Sequence, residues 1–284
     1  MKKLKILITG HRGMLGTDLM ASLAPSFNPV GLDLPEFKIT QKNDAVKTIT
    51  AIRPDLIIHT AAYTDVDGCE KWPEKALEVN TQGTANVAAA CADLKIPLVY
   101  ISTDFVFDGK KRLPYREHDP ANPIQVYGRS KLAGEFYVSG LLRKFFIIRT
   151  SWLFGKHGNN FPAAILDQAK KGKELRVVND QTGSPTLTND LCQGIIKIIK
   201  NGEYGIYHVA NRGSTSRFGF AVAILKEAGK DNPVQPISFK ELKRAAARPA
   251  YSVLRNSVLE NFLNFQMPDW QDALKRFLTN RQGL

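Results

Sequence analysis

The stretch KILITGHRGMLG, residues 5–16, is the clearest indication of the fold of this chain. Residues 5–9 form a short, mostly apolar run that predicts a buried strand, and residues 14–23 have the apolar spacing of a helix. The turn between them contains Gly10, Gly13 and Gly16. Glycine at such a turn lets the backbone approach a pyrophosphate, which the helix N-terminus then faces. The segment therefore predicts a dinucleotide-binding loop with G-x-x-G-x-x-G spacing.

The rest of the first half repeats this alternation of short apolar runs and longer amphipathic ones. Strands are predicted at residues 30–33, 56–60, 97–102 and 145–150, and helices at residues 45–52, 73–92 and 126–142. Nearly continuous apolar strands separated by helices indicate a parallel sheet that is covered on both faces. With right-handed crossovers, the predicted fold class is α/β, a doubly wound parallel sheet of the Rossmann type.

The second half is less regular. It predicts helices at residues 161–171, 190–200, 218–228 and 270–280, and one more buried strand at residues 205–210. We expect residues 1–150 and 185–211 to form the dinucleotide-binding domain. We expect residues 151–184 and 212–284 to form a smaller, partly helical substrate-binding region.

Composition excludes several classes of protein. The chain has 284 residues, 43% of them hydrophobic and 23% charged, which is ordinary for a globular protein. No apolar run is long enough to span a membrane, and the three cysteines, Cys69, Cys91 and Cys192, offer no disulfide framework. The five histidines lack metal-ligand spacing, so we predict no structural metal. We expect a cytoplasmic protein that does not bind membranes.

The net charge of +12 favours anionic ligands, which include nucleic acid and small phosphorylated molecules. A nucleic-acid interface is not expected, because the sequence has no recognition-helix motif. Asp33 ends the second strand, where a carboxylate would accept from the adenosine ribose. Arg12 and Lys38 could instead pair with a 2′-phosphate, so the sequence leaves NADPH and NADH both open. Met14 and Leu15 belong to the same predicted cofactor loop.

The catalytic prediction rests on Tyr127 and Lys131, which share one face of the predicted helix. A nearby ammonium is expected to lower the pKa of the Tyr127 phenol toward neutrality, which would make it a usable proton donor. Ser102, Thr103 and Asp104 end the fourth strand at the edge where doubly wound folds bind ligands. A hydroxyl there could donate to a substrate oxygen.

These motifs together resemble the extended short-chain dehydrogenase/reductases and, more narrowly, the dTDP-4-dehydrorhamnose reductase family. The broader motifs are Thr9-Gly10-x-x-Gly13-x-x-Gly16, Asn80-x-x-Gly83-Thr84-x-Asn86, Ser102-Thr103-Asp104 and Tyr127-Gly128-x-Ser130-Lys131. The narrower ones include residues 61–67, 102–109, 127–135, 149–155, 179–186 and 247–249. The resemblance runs through nearly the whole chain in order.

The resemblance implies a role for each matching residue. It implies catalysis by Thr103, Tyr127 and Lys131. It implies cofactor contacts from the glycine loop, from the turn Ala61-Ala62-Tyr63, and from Tyr127 and Lys131. It implies substrate contacts from Val66, Thr103, Asp104, Phe105, Trp152 and Arg248. The implied activity is reduction of the C4 keto group of dTDP-4-dehydro-L-rhamnose with NADPH or NADH.

The sequence departs from the resembling family at a few positions. Phe105 stands where many members have tyrosine, and Lys38 stands where an acidic residue is frequent. Some members bind Mg²⁺ at a dimer interface. Here only Asp18 matches, with Asn189 at a second ligand position, so we expect no metal and a monomer or weak homodimer.

Two other functions stay open. One is another nucleotide-sugar reductase or epimerase of the same superfamily. The other is a non-catalytic regulatory subunit of methionine adenosyltransferase, although Thr103, Tyr127 and Lys131 are all present. In the enzyme hypotheses the partner is a nucleotide-diphosphate sugar.

Overall fold

The computed structural model describes residues 3–172 and 174–281. Its strands are β1 (Lys5–Thr9), β2 (Asn28–Leu32), β3 (Leu56–His59), β4 (Leu98–Thr103), β5 (Phe145–Thr150), β6 (Leu153–Phe154), β7 (Leu175–Val178), β8 (Thr182–Gly183), β9 (Thr186–Leu187), β10 (Gly205–His208), β11 (Thr215–Ser216) and β12 (Val234–Ile237). Its α-helices are α1 (Met14–Leu23), α2 (Lys42–Ile52), α3 (Val66–Lys71), α4 (Pro73–Ala76), α5 (Thr84–Leu94), α6 (Val126–Leu141), α7 (Phe161–Lys170), α8 (Thr188–Asn201), α9 (Arg217–Glu227), α10 (Ser257–Leu263) and α11 (Trp270–Arg281).

A six-stranded parallel sheet in the order β10-β5-β4-β3-β1-β2 forms the centre of the molecule. One face is covered by a core that includes α1, α8 and α10, and the other by a core that includes α2, α5 and α6. The predicted doubly wound parallel sheet is confirmed. The strand order reverses between β1 and β3, and such folds bind ligands outside the carboxyl ends of the strands at that point.

The helix predicted over residues 73–92 is continuous but not uniform. A π-helical segment, Leu77–Gly83, joins α4 to α5. π-Helical turns are rare in proteins, and those that do occur often lie at functional sites. Asn80, within the segment, binds the Tyr63 carbonyl and the Ser130 hydroxyl through Nδ2, so the π-turn holds a cofactor-side loop against α6.

A second unit lies beside the sheet. It pairs β7 with β12 in parallel and packs α7, α9 and α11 around a separate apolar core. The sequence did not predict β12, because Pro236 interrupts a run of only four residues and Pro fits only an edge strand. The sequence also did not predict α10, which packs against α8 and β10 beneath the main sheet. Within the described residues, no helix is both long and apolar enough to cross a membrane.

Candidate active site

The backbone of the glycine loop lies very close to neighbouring atoms. Gly10 has φ +76°, and a Cβ atom there would lie 2.7 Å from the Ala61 backbone nitrogen. A Cβ at Gly16 would lie 2.2 Å from the Gly10 carbonyl oxygen. Glycine is therefore required at both positions. Gly13 is less confined, since its added Cβ would meet only the Gly10 carbonyl, at 3.2 Å. The loop thus offers a cradle at the start of α1 that fits a pyrophosphate.

Two cavities flank this loop, and together they contain most of the predicted cofactor residues. One cavity, of about 500 Å³, lies at the end of β2. Its lining includes Gly10, Arg12, Gly13, Asp33, Ala61 and Ala62. The other, of about 410 Å³, is the catalytic cavity, and its lining includes Gly10, Gly13, Met14, Leu15, Gly16, Ala62, Thr103, Asp104, Tyr127, Lys131 and Trp152. The pair has the layout that the adenosine and nicotinamide halves of a dinucleotide need.

At the adenosine end, Asp33 is already engaged with the backbone. Its carboxylate accepts from the amides of Arg12 and Leu34, both at 2.8 Å. The Arg12 guanidinium pairs with Glu36 at the exposed rim of the cavity. Lys38 also lines this cavity. Cations and a ribose acceptor therefore coexist here, and the geometry is compatible with either NADPH or NADH.

Two of the predicted residues, Tyr63 and Val66, line neither of these cavities nor the third cavity described below. Tyr63 belongs to the turn after β3, but Lys75 Nζ lies 4.7 Å from its ring centroid and its backbone is held by Asn80. Val66 begins α3 and is absent from the linings of the described cavities. Its neighbour Asp67 does line a third cavity, so α3 approaches the site through a different side chain from the one predicted.

The three predicted catalytic residues meet in the catalytic cavity. Thr103 ends β4, while Tyr127 and Lys131 lie one turn apart at the start of α6. The Gln125 side chain caps this helix by accepting from the Gly128 amide at 2.6 Å. The cap fixes where α6 begins, and therefore where the phenol of Tyr127 lies.

The electrostatics of Tyr127 differ from the sequence-based expectation. Burial, reinforced by the Asp104 carboxylate, raises the pKa of the phenol above its ordinary value, and the Thr103 hydroxyl only partly opposes this. Lys131 Nζ lies 4.1 Å from the ring centroid of Tyr100. Burial lowers the pKa of Lys131 to about 7, although Glu135 favours its charged form. The expected lowering of the Tyr127 pKa is therefore wrong for the chain by itself, because burial and the Asp104 carboxylate both favour the neutral phenol.

A buried ion pair joins α6, the helix that carries Tyr127 and Lys131, to the central sheet. Arg149 on β5 donates to both carboxylate oxygens of Glu135, at 3.0 and 2.6 Å, and Ser102 donates to the same carboxylate at 2.5 Å. Both charged side chains are only 4% exposed. The network ties α6 to β4 and β5, the elements that carry Tyr127 and Thr103. Sequence reasoning missed it, although Glu135 follows Lys131 by one helical turn.

Asp104 is the buried acid of the catalytic cavity. It is 2% exposed, and its Oδ1 accepts from the Thr103 hydroxyl at 3.0 Å. Within the described chain, its Oδ2 has no hydrogen-bond partner. Burial raises the pKa of this carboxyl to about 6, while Ser252, Thr103 and Arg217 act in the opposite direction.

A third cavity, of about 440 Å³, adjoins the catalytic cavity and is called here the arginine cavity. Its basic residues are Arg176, Arg217, Arg244 and Arg248. Phe105 and Trp152 also line it, and Trp152 lines the catalytic cavity as well. Gly183 makes this placement possible, because a Cβ there would lie 2.4 Å from the Trp152 ring. Trp152 therefore marks the passage between the two cavities.

The four arginines of this cavity differ in whether a carboxylate pairs with them. Arg248, predicted from sequence, pairs with Asp67 at 3.2 Å, and Arg244 pairs with the same carboxylate. Arg176 pairs with Glu241. Arg217 has no ion pair within the described residues, and its guanidinium carbon lies 3.5 Å from the Trp152 ring centroid. Burial lowers the pKa of Arg217 to about 10. Sequence reasoning missed Arg217 because no motif surrounds it.

Asp18, which matches a metal-ligand position of the resembling family, has structural partners within the chain. Asp18 is buried between α1 and α8, where it accepts from the Thr188 hydroxyl, and His157 lies 3.6 Å from it. Within residues 3–172 and 174–281, no group of three or more His, Cys, Asp or Glu side chains could hold a metal ion.

Comparison with known proteins identifies the family of this chain. The family described as RmlD substrate binding domain matches residues 4–282. The chain belongs to this family. The resemblance found in the motifs is thereby confirmed. A dTDP-4-dehydrorhamnose reductase from Aggregatibacter actinomycetemcomitans is 38% identical over 95% of this chain and 97% of its own length. The spore coat polysaccharide biosynthesis protein SpsK of Bacillus subtilis is 37% identical, with 98% of each chain covered.

Solved structures place the family in its wider fold. The dTDP-4-dehydrorhamnose reductase of Bacillus anthracis str. Ames, determined in complex with NADP, is 42% identical, with a TM-score of 0.95 over 99% of this chain and all of that one. A UDP-glucose 4-epimerase from Thermus thermophilus is 21% identical with a TM-score of 0.85 over 99% of both chains. The epimerase shares the fold, so chemistry in this RmlD-family chain must be argued from the cavities.

Proposed function

We propose that this chain is an NADPH- or NADH-dependent oxidoreductase that reduces the C4 keto group of dTDP-4-dehydro-L-rhamnose to dTDP-L-rhamnose. The observation that carries the proposal is the convergence of Thr103, Tyr127 and Lys131 in a cavity that begins at the glycine loop and continues into the arginine cavity. The names of relatives at 35% and 38% identity over nearly the whole chain support the same activity.

When bound, the nicotinamide cofactor supplies the hydride that the ketone carbon needs. Tyr127 supplies the proton that the ketone oxygen needs, from its phenolic Oη. Thr103 stands beside it as a second hydrogen-bond donor for the developing alkoxide. Lys131 would hold the nicotinamide ribose, and its positive charge would favour the phenolate that Tyr127 becomes when it gives up its proton. The raised pKa of Tyr127 fits a phenol that keeps its proton until cofactor and substrate are in place.

The arginine cavity supplies the site for the nucleotide part of the substrate. A sugar in the catalytic cavity and a nucleotide in the arginine cavity would bring the diphosphate past Trp152. Arg217 is stacked there on Trp152 and forms no ion pair within the described residues, although the Asp104 carboxylate favours its charged form. Charge-assisted bonds from a guanidinium to phosphate oxygens are among the stronger polar contacts in proteins. We therefore assign the diphosphate contact primarily to Arg217, with Arg248 in a secondary role.

A related 4-keto sugar is the second candidate substrate. A dTDP-4-keto-6-deoxy-D-glucose reductase from Streptomyces niveus is 37% identical over 94% of both chains. The two substrates share the nucleotide, the diphosphate and the C4 ketone, and differ in the configuration of the sugar. Selectivity between them depends on sugar contacts in the catalytic cavity.

The test is NADPH oxidation against a panel of nucleotide 4-keto sugars, with product stereochemistry determined by NMR. We expect the highest kcat/KM with dTDP-4-dehydro-L-rhamnose. Higher efficiency with dTDP-4-keto-6-deoxy-D-glucose would select the second candidate. A protein that binds NADPH but turns over no sugar nucleotide would favour a regulatory subunit instead, and its effect on methionine adenosyltransferase could then be measured.

The remaining expectations are part of the same proposal. We propose that residues 1–150 and 185–211 bind the dinucleotide and that residues 151–184 and 212–284 complete the substrate site. The separate apolar core of the second unit supports this division for most of these residues, whereas α10 packs with the core of the main sheet. We further propose a cytoplasmic monomer or weak homodimer without a metal ion. The engagement of Asp18 with Thr188 inside one chain supports the absence of a metal bridge, and light scattering with and without Mg²⁺ tests it.

A further inference from the structure

Asp104 has a place in the catalytic cavity that hydride transfer and proton donation by Tyr127 do not explain. It is almost fully buried, directly beside Thr103. Its Oδ2 has no hydrogen bond of ordinary geometry within the described residues, although the Ser252 side chain favours the charged form of the carboxyl. Buried carboxylates are normally paired or fully hydrogen-bonded, so an unsatisfied one next to reacting groups indicates a functional constraint.

The hydrogen-bond capacity of Thr103 shows what Asp104 controls. A hydroxyl has one donor and two acceptor sites. Thr103 Oγ1 accepts from the Phe105 amide at 3.2 Å. When Asp104 is ionised it can only accept, so the Thr103 hydrogen is committed to it at 3.0 Å. When Asp104 is neutral it can donate to the second acceptor site of Thr103. The Thr103 hydrogen is then free to point at a substrate oxygen.

Building on the proposed function, we infer that Asp104 is a proton-linked positioning residue. Binding of a sugar-nucleotide diphosphate at Arg217 makes the Asp104 carboxyl take up a proton, and the neutral acid turns the Thr103 hydroxyl toward the ketone oxygen. The proton that Asp104 gains comes from solvent and returns there when product leaves, so it is not consumed by the reaction.

The groups around Asp104 favour this linkage. Tyr127 on α6 faces it, and Lys131 shares the cavity. Arg217 on α9 is the charged group that stabilises the carboxylate, and Arg248 in turn faces Arg217. A diphosphate would neutralise Arg217 and so remove the main cation that holds Asp104 ionised. Burial already raises the pKa of this carboxyl to about 6, so a modest further rise brings protonation near pH 7. A neutral Asp104 also removes a negative charge from beside the developing alkoxide.

The first experiment measures proton uptake directly. Calorimetric titration with dTDP-glucose, whose diphosphate diester has no ionisation near neutrality, is repeated at pH 7 in buffers of different ionisation enthalpy. We expect uptake on the order of 0.5 proton per site, lost in Asp104→Asn and unchanged in Asp93→Asn, whose carboxylate is exposed on α5. Binding without proton uptake by the wild type would overturn the inference, whether or not any variant folds.

The second experiment is the pH dependence of single-turnover NADPH oxidation. Between about pH 5.5 and 8.5 the wild-type rate should fall by about tenfold, since ionisation of Asp104 withdraws the Thr103 donor. In Asp104→Asn the amide donates at every pH, so the fall should shrink to less than about twofold. An identical profile in wild type and Asp104→Asn would overturn the inference while leaving the reductase activity intact. Failure of the wild type to bind dTDP-glucose would instead overturn the proposed function and this inference with it.

Discussion

The catalytic cavity and the arginine cavity adjoin at Trp152 but are built in different ways. The catalytic cavity is made by short continuous segments, each at the carboxyl end of a strand or the start of a helix. The arginine cavity is lined by side chains from distant parts of the chain, between residues 67 and 249. These side chains lie on helices, on an edge strand and in loops, and most of them belong to the second unit. The predicted cofactor and catalytic residues therefore lie in local motifs, whereas the proposed substrate contacts depend on packing between distant segments.

Removing the Tyr127 hydroxyl is expected to have the largest effect. Tyr127→Phe keeps the ring, so folding and cofactor affinity should survive, while kcat falls by about 10²–10⁴-fold because the general acid is lost. Single-turnover NADPH oxidation measures it, and Tyr137→Phe, on the exposed side of the same helix, is the matched control. Wild-type turnover in Tyr127→Phe would remove this residue from the mechanism.

The second-largest effect is expected when a negative charge is placed in the glycine loop. Gly13→Glu places a carboxylate against the pyrophosphate, and like-charge contacts cost several kcal/mol, so the Kd for NADPH should rise by roughly 100-fold or more. The loop should still fold, because only the Gly10 carbonyl lies near an added Cβ. Fluorescence titration measures the Kd, and Gly140→Glu, with open space around it, controls for the added charge. Unchanged affinity would contradict the assignment of the loop.

The arginine cavity should show a smaller and different effect. Arg217→Gln is expected to raise KM for the sugar nucleotide by about 10–100-fold, since a hydrogen bond to a charged group contributes about 1.5–3 kcal/mol. Cofactor affinity should not change, in contrast to Gly13→Glu. Initial-rate kinetics test this, with the exposed Arg143→Gln as control. If KM stays constant while the Kd for NADPH rises, the two cavities have been assigned in the wrong order.

Replacing Arg248 should have the smallest effect of the variants considered. Its charge is already shared with Asp67, so Arg248→Gln should raise KM by about two- to fivefold, in the range of a partly neutralised surface pair. Asp67→Asn should strengthen the contact instead, because it frees Arg248 for the diphosphate. An effect of Arg248→Gln as large as that of Arg217→Gln would show that the Asp67 pair opens when substrate binds.

Much of the site could be predicted because its signals are local. Gly16 is a glycine for a reason confined to one turn, since an added Cβ would meet Gly10 and His11, and Tyr127 and Lys131 share a helix face by spacing alone. The pKa of Tyr127 could not be predicted in this way. Spacing places Lys131 on the same helix face, but burial and Asp104 raise the pKa of Tyr127, and both depend on the packing of the folded chain.

The sequence alone predicted the doubly wound sheet, which the structure confirms, and it was sufficient to propose the phosphate loop and the catalytic residues, because strand periodicity, turn glycines and i, i+4 spacing are properties of neighbouring residues. Which arginine is free to bind an anion became apparent only in the folded chain. Arg217 and Arg248 are equally basic in the sequence, and their difference arises because Asp67 on α3 reaches one and not the other. Ion pairing depends on distances across the fold, and those distances are set by the packing of the second unit against the sheet.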